Sequence, residues 1–305
     1  MDQVFAAIDI GSNSTNLLIV DQSGKTLERV VRSTRLGANI AKTGALSAEA
    51  IQRTLDCLRE YEVLIKRHKV SHRRTVATAA CRVAKNTSQF FTEAKKISGT
   101  EPELISGETE GALSFAGATS ALDEKMSTLV VDIGGASTEL MVGADNLDFA
   151  VSLPFGAVNI TEAELHRDPP RPEELTNAIS LVSDAVDDVA HNHPLIGHVD
   201  RVVGVAGTIV TVAAVEVGQK TFDPSALHKL KLSREAVEDV FRTLATEPIS
   251  DRVFNPGLPR DRADIIVGGC CVLVAVMRRL QISEIIVSQY NLLDGLISEL
   301  RKKKS

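Results

Sequence analysis

The chain has 305 residues, 44% of them hydrophobic and 24% charged, with a formal net charge of −6. That length suits about two domains at roughly 150 residues each, and the apolar share is ample for two buried sheets. The acidic balance argues against non-specific nucleic-acid binding, and the longest apolar run, Ile265 to Met277, holds two glycines and is too short to span a bilayer.

The opening residues, Met1 to Asp9, carry no basic leader and enter a strand at once, so no signal peptide is expected. Ala7 to Val20 then reads as strand, turn and strand, with the turn at Gly11-Ser12-Asn13-Ser14. Thr26 to Arg35 has strand character, and Arg35 and Lys42 read as surface charges. Ser47 is a helix N-cap, followed by Leu55, Leu58 and Leu64 at helical spacing. Lys66 to Lys69, with His72 to Arg74, forms a basic cluster that would suit either a polyanion or a solvated helix end; the tail Arg301 to Lys304 reads as the latter. Arg74 to Ala80 is a strand leading to Arg82, and ligands of open α/β sheets bind at strand C-termini. A short strand at Leu104 and Ile105 leads into a helix running to about Leu122, with Glu110 in its first turn. Such an acid is ordinarily a partner of the helix dipole.

The next segment, Val130 to Val142, repeats the first hairpin. Asp132 matches Asp9, Gly134 matches Gly11, and Ser137-Thr138 matches Ser14-Thr15, at an offset of 132 − 9 = 123 residues. Small residues in such a turn let backbone N–H groups approach an anionic oxygen, while the acid ending the first strand suits Mg²⁺. One copy reads equally well as an ordinary glycine hairpin. Two copies resemble the duplicated halves of the actin, sugar-kinase and chaperone-ATPase superfamily, and beside two phosphate loops Glu110 becomes a candidate general base for water.

Farther on, Phe155 to Asn159 starts a helix, Arg171 to His191 is an amphipathic helix with a solvated acidic face, and Val199 to Val205 is a buried strand before Gly207-Thr208. Ser233 caps another helix, Arg262 and Asp264 suggest a structural ion pair, and the run from Ile265 is a buried helix. His191, His193 and His198 lack ligand spacing. Cys57, Cys81, Cys270 and Cys271 show no CxxC or Cys/His spacing, which indicates reduced thiols in a cytoplasm and no zinc site.

The ordered set Asp9-Ile-Gly-Ser-Asn-Ser14, Ala77 to Asn86, Ile105-Ser-Gly-Glu-Thr-Glu110-Gly, Asp132-Ile-Gly-Gly-Ala-Ser-Thr-Glu139, Gly204-Val-Ala-Gly207-Thr208, Arg262 to Ile266 and Val287 to Leu296 resembles the exopolyphosphatase/guanosine pentaphosphate phosphohydrolase (Ppx/GppA) family. The resemblance implies an α/β fold of two ribonuclease-H-like lobes, residues 1–123 and 124–290, sharing a phosphate-binding cleft, with a final helix, 291–305, returning to the first. It implies hydrolysis of a terminal phosphoanhydride of inorganic polyphosphate, with Glu110 activating water. Guanosine pentaphosphate (pppGpp) hydrolysis is the alternative, and a kinase or a non-catalytic sensor of phosphate ligands, nucleotides included, is a more distant one.

By the same resemblance, Asp132 and Glu139 hold Mg²⁺ or Mn²⁺, with Asp9 a candidate for its outer shell. Phosphate falls to Gly11, Ser12, Asn13, Ser14, Arg82, Gly134, Gly135, Ala136, Ser137, Thr138, Gly207 and Thr208. Glu108 occupies a variable position of its motif. Ala136 replaces a glycine common in the family and calls for an ordinary backbone conformation there. The chain ends soon after the closing helix, so the short, two-domain form is expected, without the added helical region with which longer relatives grip long polyphosphate. A homodimer, with neither nucleic acid nor membrane as partner, completes the implied picture.

Overall fold

The computed structural model describes residues 3–122 and 126–303. The expected lobe border at 123/124 and the tail residues Lys304 and Ser305 lie outside them. The chain divides into two compact units, Met1–Ser120 with Tyr290–Ser305, and Ala121–Gln289.

In the first unit, β1 (Phe5–Ile10), β2 (Thr15–Val20) and β3 (Thr26–Arg32) form an antiparallel meander. After α1 (Ile40–Thr43) and α2 (Ala48–Arg67), β4 (His72–Ala77) pairs parallel to β1. Then come α3 (Ala79–Val83), α4 (Thr87–Ser98), β5 (Glu103–Leu104) and α5 (Gly107–Thr119), giving a sheet of order β3-β2-β1-β4-β5. Because both faces of the sheet are covered, β1 is apolar at every position but Asp9. Ala6, Ile8 and Ile10 join a core with α2 and α4, while Phe5 and Ala7 join the opposite core with Leu113 of α5.

The second unit repeats the plan. β6 (Thr128–Ile133), β7 (Thr138–Gly143) and β8 (Leu147–Leu153) form the meander, followed by α6 (Ala157–Glu164) and α7 (Pro172–Asn192). β9 (Arg201–Val205) pairs parallel to β6, and α8 (Ala206–Glu216), β10 (Lys231–Ser233), α9 (Arg234–Thr246), α10 (Ile249–Arg252), α11 (Ile266–Arg279) and β11 (Glu284–Val287) complete it. The sheet order is β10-β11-β9-β6-β7-β8, the first unit's order with one added edge strand. Residues 266–277 of α11 are all buried, so the apolar run is an interior helix. Among the described residues no helix is long and apolar enough to cross a membrane.

The chain closes with α12 (Leu292–Lys302), in the first unit against α5. The approach is tight: a Cβ on Gly117 would collide with the Asn291 carbonyl, and one on Gly295 with the Leu113 carbonyl. Asn291 and Asp294 form a capping box, and Asp294 also pairs with Arg29 of β3 at 2.5 Å.

Candidate active site

Each hairpin is closed by the same bond. Gly11 N–H donates to the Ser14 carbonyl at 2.9 Å, and Gly134 N–H to the Ser137 carbonyl at 3.0 Å. In the first, Gly37 N–H donates to Ser12 O and Arg35 N–H to Asn13 O, both at 2.8 Å, while Ser12 Oγ accepts from Ala80 N–H at 3.1 Å. The loop is thus tied to α3, which carries Arg82. Asn13 is 6% exposed, yet neither polar atom of its side chain has a hydrogen-bond partner among the described residues. A buried amide left so costs about 1–3 kcal/mol, and an oxyanion or hydrated cation would match it.

In the second hairpin the loop carbonyls are engaged by α6. Ala157 N–H donates to Gly134 O at 3.0 Å, Val158 N–H to Gly135 O at 2.7 Å, and Asn159 Nδ2 to Ala136 O at 2.8 Å. Thr138 Oγ1 donates to the Phe155 carbonyl at 2.6 Å. Gly156 permits this closeness, since a Cβ there would lie 2.6–2.7 Å from the backbone of Gly135 and Ala136. Ala136 is absent from the positive-φ positions, so its methyl is accommodated without backbone strain.

Two of the candidates read from the sequence meet directly. Arg82, in the last turn of α3, donates from Nη1 to Glu110 Oε2 at 2.6 Å and to the Ile105 carbonyl at 3.2 Å. Ser106 caps α5, placing Glu110 on its first turn. Burial raises the Glu110 carboxyl above its ordinary 4.5, and Arg82 opposes that rise. Glu108 points to solvent.

A sequence profile of the Ppx/GppA phosphatase family matches residues 17–304. The chain belongs to that family. A relative from Mycobacterium tuberculosis named Exopolyphosphatase 2 is 33% identical over 97% of this chain and 98% of its own length. A guanosine-5'-triphosphate,3'-diphosphate pyrophosphatase from Photobacterium profundum is 30% identical over 98% of this chain, which spans 60% of that longer protein. A crystal structure of an exopolyphosphatase-like protein matches with a TM-score of 0.94 and 31% identity, covering 99% of this chain and 100% of the other.

In this Ppx/GppA chain the acids of the second hairpin stand opposite one another, Asp132 paired in register with Glu139. Glu139 is 2% exposed and accepts from Ser152 Oγ at 2.7 Å. No group of three or more His, Cys, Asp or Glu residues able to hold a metal occurs among the described residues. Mg²⁺ keeps several waters and binds through one or two carboxylates plus substrate phosphates, so the Asp132–Glu139 couple fits it. In the first hairpin Asn16 occupies the place equivalent to Glu139, and its Nδ2 donates to Asp9 Oδ2 at 3.0 Å.

The third loop follows β9, whose Val205 lies in register with Asp132. Ala206 there is left-handed (φ 66°), a strained conformation for a residue with a Cβ. Thr208 is buried against Gly269 of α11. Arg262 departs from the expected ion pair with Asp264: its guanidinium occupies the place a Cβ on Gly207 would need, and desolvation lowers its pKa. Sequence reading also missed Arg252, 2% exposed, which donates to the carbonyls of Leu244, Glu247 and Ala263 at 2.6–2.8 Å and so ties that stretch to α9. Part of the basic cluster of the first unit is taken up in pairs, Arg73 with Glu62, Arg74 with Glu103 and Glu299, and His68 with Glu28, while Lys66, Arg67 and Lys69 are exposed. All four cysteines are free and buried, and desolvation pushes the Cys81 and Cys270 thiols up to about 12.

Proposed function

We propose that this chain is a Mg²⁺-dependent exopolyphosphatase that releases terminal orthophosphate from inorganic polyphosphate. The observation that carries the reading is the largely buried Glu110 carboxylate, held by Arg82 in a unit whose phosphate-type hairpin leaves the Asn13 amide unmatched among the described residues. The polyphosphate substrate is inferred from the relative named Exopolyphosphatase 2, which matches over 98% of its length.

Glu110 takes a proton from water, and the water oxygen bonds to the terminal phosphorus. The bridging P–O bond breaks, leaving orthophosphate and a chain one unit shorter. Phosphoryl transfer of this kind asks the protein for positioning and charge neutralisation rather than covalent help. The loop amides at Gly11 to Ser14, Gly134 to Thr138 and Gly207-Thr208 are the proposed phosphate cradles, with Arg82 as cationic ligand. Asp132 and Glu139 are the proposed ligands of Mg²⁺ or Mn²⁺, with Asp9 outside them; the bound ion would supply neutralising charge to the phosphate oxygens. Cytoplasmic residence and a homodimer belong to the same proposal, and sedimentation showing only monomer would remove the latter.

Hydrolysis of pppGpp is the second reading, supported by the pyrophosphatase relatives. Phosphate release measured in parallel from long polyphosphate, tripolyphosphate, pppGpp and ATP, with and without Mg²⁺, separates the two. Release from polyphosphate is expected; release from pppGpp alone would replace the first reading with the second.

A further inference from the structure

Arg82 reaches Glu110 and the Ile105 carbonyl through Nη1 alone. Its Nε and Nη2 make no hydrogen bond among the described residues, although the side chain is only 23% exposed and Glu110 12%. A guanidinium has five N–H donors in a fixed planar fork. Three of them, on Nε and Nη2, thus remain uncommitted while Nη1 keeps the carboxylate.

Two acids on other elements of the unit are engaged elsewhere. Glu103 of β5 pairs with Arg74, and Asp294 of α12 with Arg29. Glu108, on the helix of Glu110 itself, is exposed. Arg82 is therefore the charge that faces Glu110 among the described residues, and it opposes the effect of burial on that carboxyl.

From this geometry we infer that Arg82 is a positioning residue for the base as well as a phosphate ligand: Nη1 orients Glu110 and keeps it ionised, while the free Nε–Nη2 edge takes a phosphate oxygen. The inference rests on Glu110 being the base. It gives the base two strengths. In the free protein the whole guanidinium charge favours the carboxylate, so water meets an ionised acceptor. Once phosphate occupies the other edge, part of that charge is matched to the substrate, and the carboxylate binds a proton more strongly when one is to be moved. General-base efficiency depends on both conditions, the correct ionisation state and sufficient proton affinity.

The test has one arm that does not depend on turnover. Carbon-13 NMR of glutamate-labelled protein, with the Glu110 carboxyl assigned by its loss in Glu110→Gln, follows the titration of this group in the free protein. Arg82→Ala is expected to move its midpoint upward by about 1–3 pH units, the range for a carboxylate losing an adjacent arginine. An unmoved midpoint would overturn the inference even if polyphosphate is hydrolysed normally.

The second arm compares tripolyphosphate kinetics of wild type and Arg82→Lys, which keeps the charge but loses the fork. A fall in kcat larger than the rise in KM is expected; a raised KM with kcat intact would reduce Arg82 to a phosphate ligand. Circular dichroism melting checks that each variant folds. If wild type hydrolyses nothing, the proposed function fails, and the NMR titration still decides the Arg82–Glu110 relation.

Discussion

The two hairpins share a register, a closing hydrogen bond and a 123-residue offset, but differ in the polar couple at the strand ends. In the first unit Asp9 faces Asn16, whose amide donates to it; in the second Asp132 faces Glu139. The amide matches one oxygen of Asp9 and leaves Oδ1 without a hydrogen bond among the described residues, whereas two like-charged carboxylates side by side favour a cation between them. One duplicated turn thus carries two different polar couples. In the proposed function the first unit's partly buried acid–arginine pair moves the proton and the second unit's acids hold the divalent ion.

The sharpest way to break this division is to remove the base. Glu110→Gln keeps shape and loses proton affinity, so turnover should fall about a hundredfold or more with KM little changed, in steady-state phosphate release. Near-normal turnover would return Glu110 to a dipole partner.

Next in size is Glu139→Gln. The Mg²⁺ concentration for half-maximal rate should rise at least about tenfold, since even losing an outer partner of a metal ligand costs about 10- to 100-fold in affinity. An unchanged Mg²⁺ requirement would remove the metal from the second hairpin.

The loops offer a structural contrast of middle size. Gly156→Ala places a methyl 2.6–2.7 Å from the backbone of Gly135 and Ala136, and Gly37→Ala places one 3.0 Å from Ser12 Cβ and 3.2 Å from Ala80 Cβ. The first should cost about 1–3 kcal/mol in denaturant unfolding and the second less, because its contacts are longer. The reverse order would contradict the packing described for the second hairpin.

Smallest is Asn16→Asp, which gives the first hairpin the acid couple of the second. It should lower stability by about 1 kcal/mol through the lost hydrogen bond and like-charge repulsion, leaving the Mg²⁺ requirement of catalysis unchanged. A changed requirement would mean that the first hairpin also serves the ion.

Much of this was legible before any coordinates. Glycine turns between apolar runs mark the two hairpins, and Ser47 and Ser233 announce helix starts that their side chains cap. What escaped was pairing at long sequence separation. Nothing near Arg82 indicates that it meets Glu110, 28 residues on, because the meeting depends on how α3 and α5 follow their strands. Arg252 looks like any loop cation, yet it is interior because three backbone carbonyls receive it. Arg262 next to Asp264 suggested a local ion pair; the missing Cβ at Gly207 instead makes room for the guanidinium. Arg74 likewise reads as part of a basic cluster open to a polyanion or to solvent until Glu103 and Glu299 arrive from distant segments.

The most direct test of the assignment is hydrolysis of polyphosphate in oxygen-18 water, with the released orthophosphate examined by mass spectrometry. Attack by water on the terminal phosphorus, with Glu110 as base, puts one oxygen-18 into each orthophosphate released by the wild type, and Glu110→Gln should all but abolish that labelled product. Label found instead on the shortened chain, orthophosphate released without label, or undiminished labelled release by Glu110→Gln would contradict it.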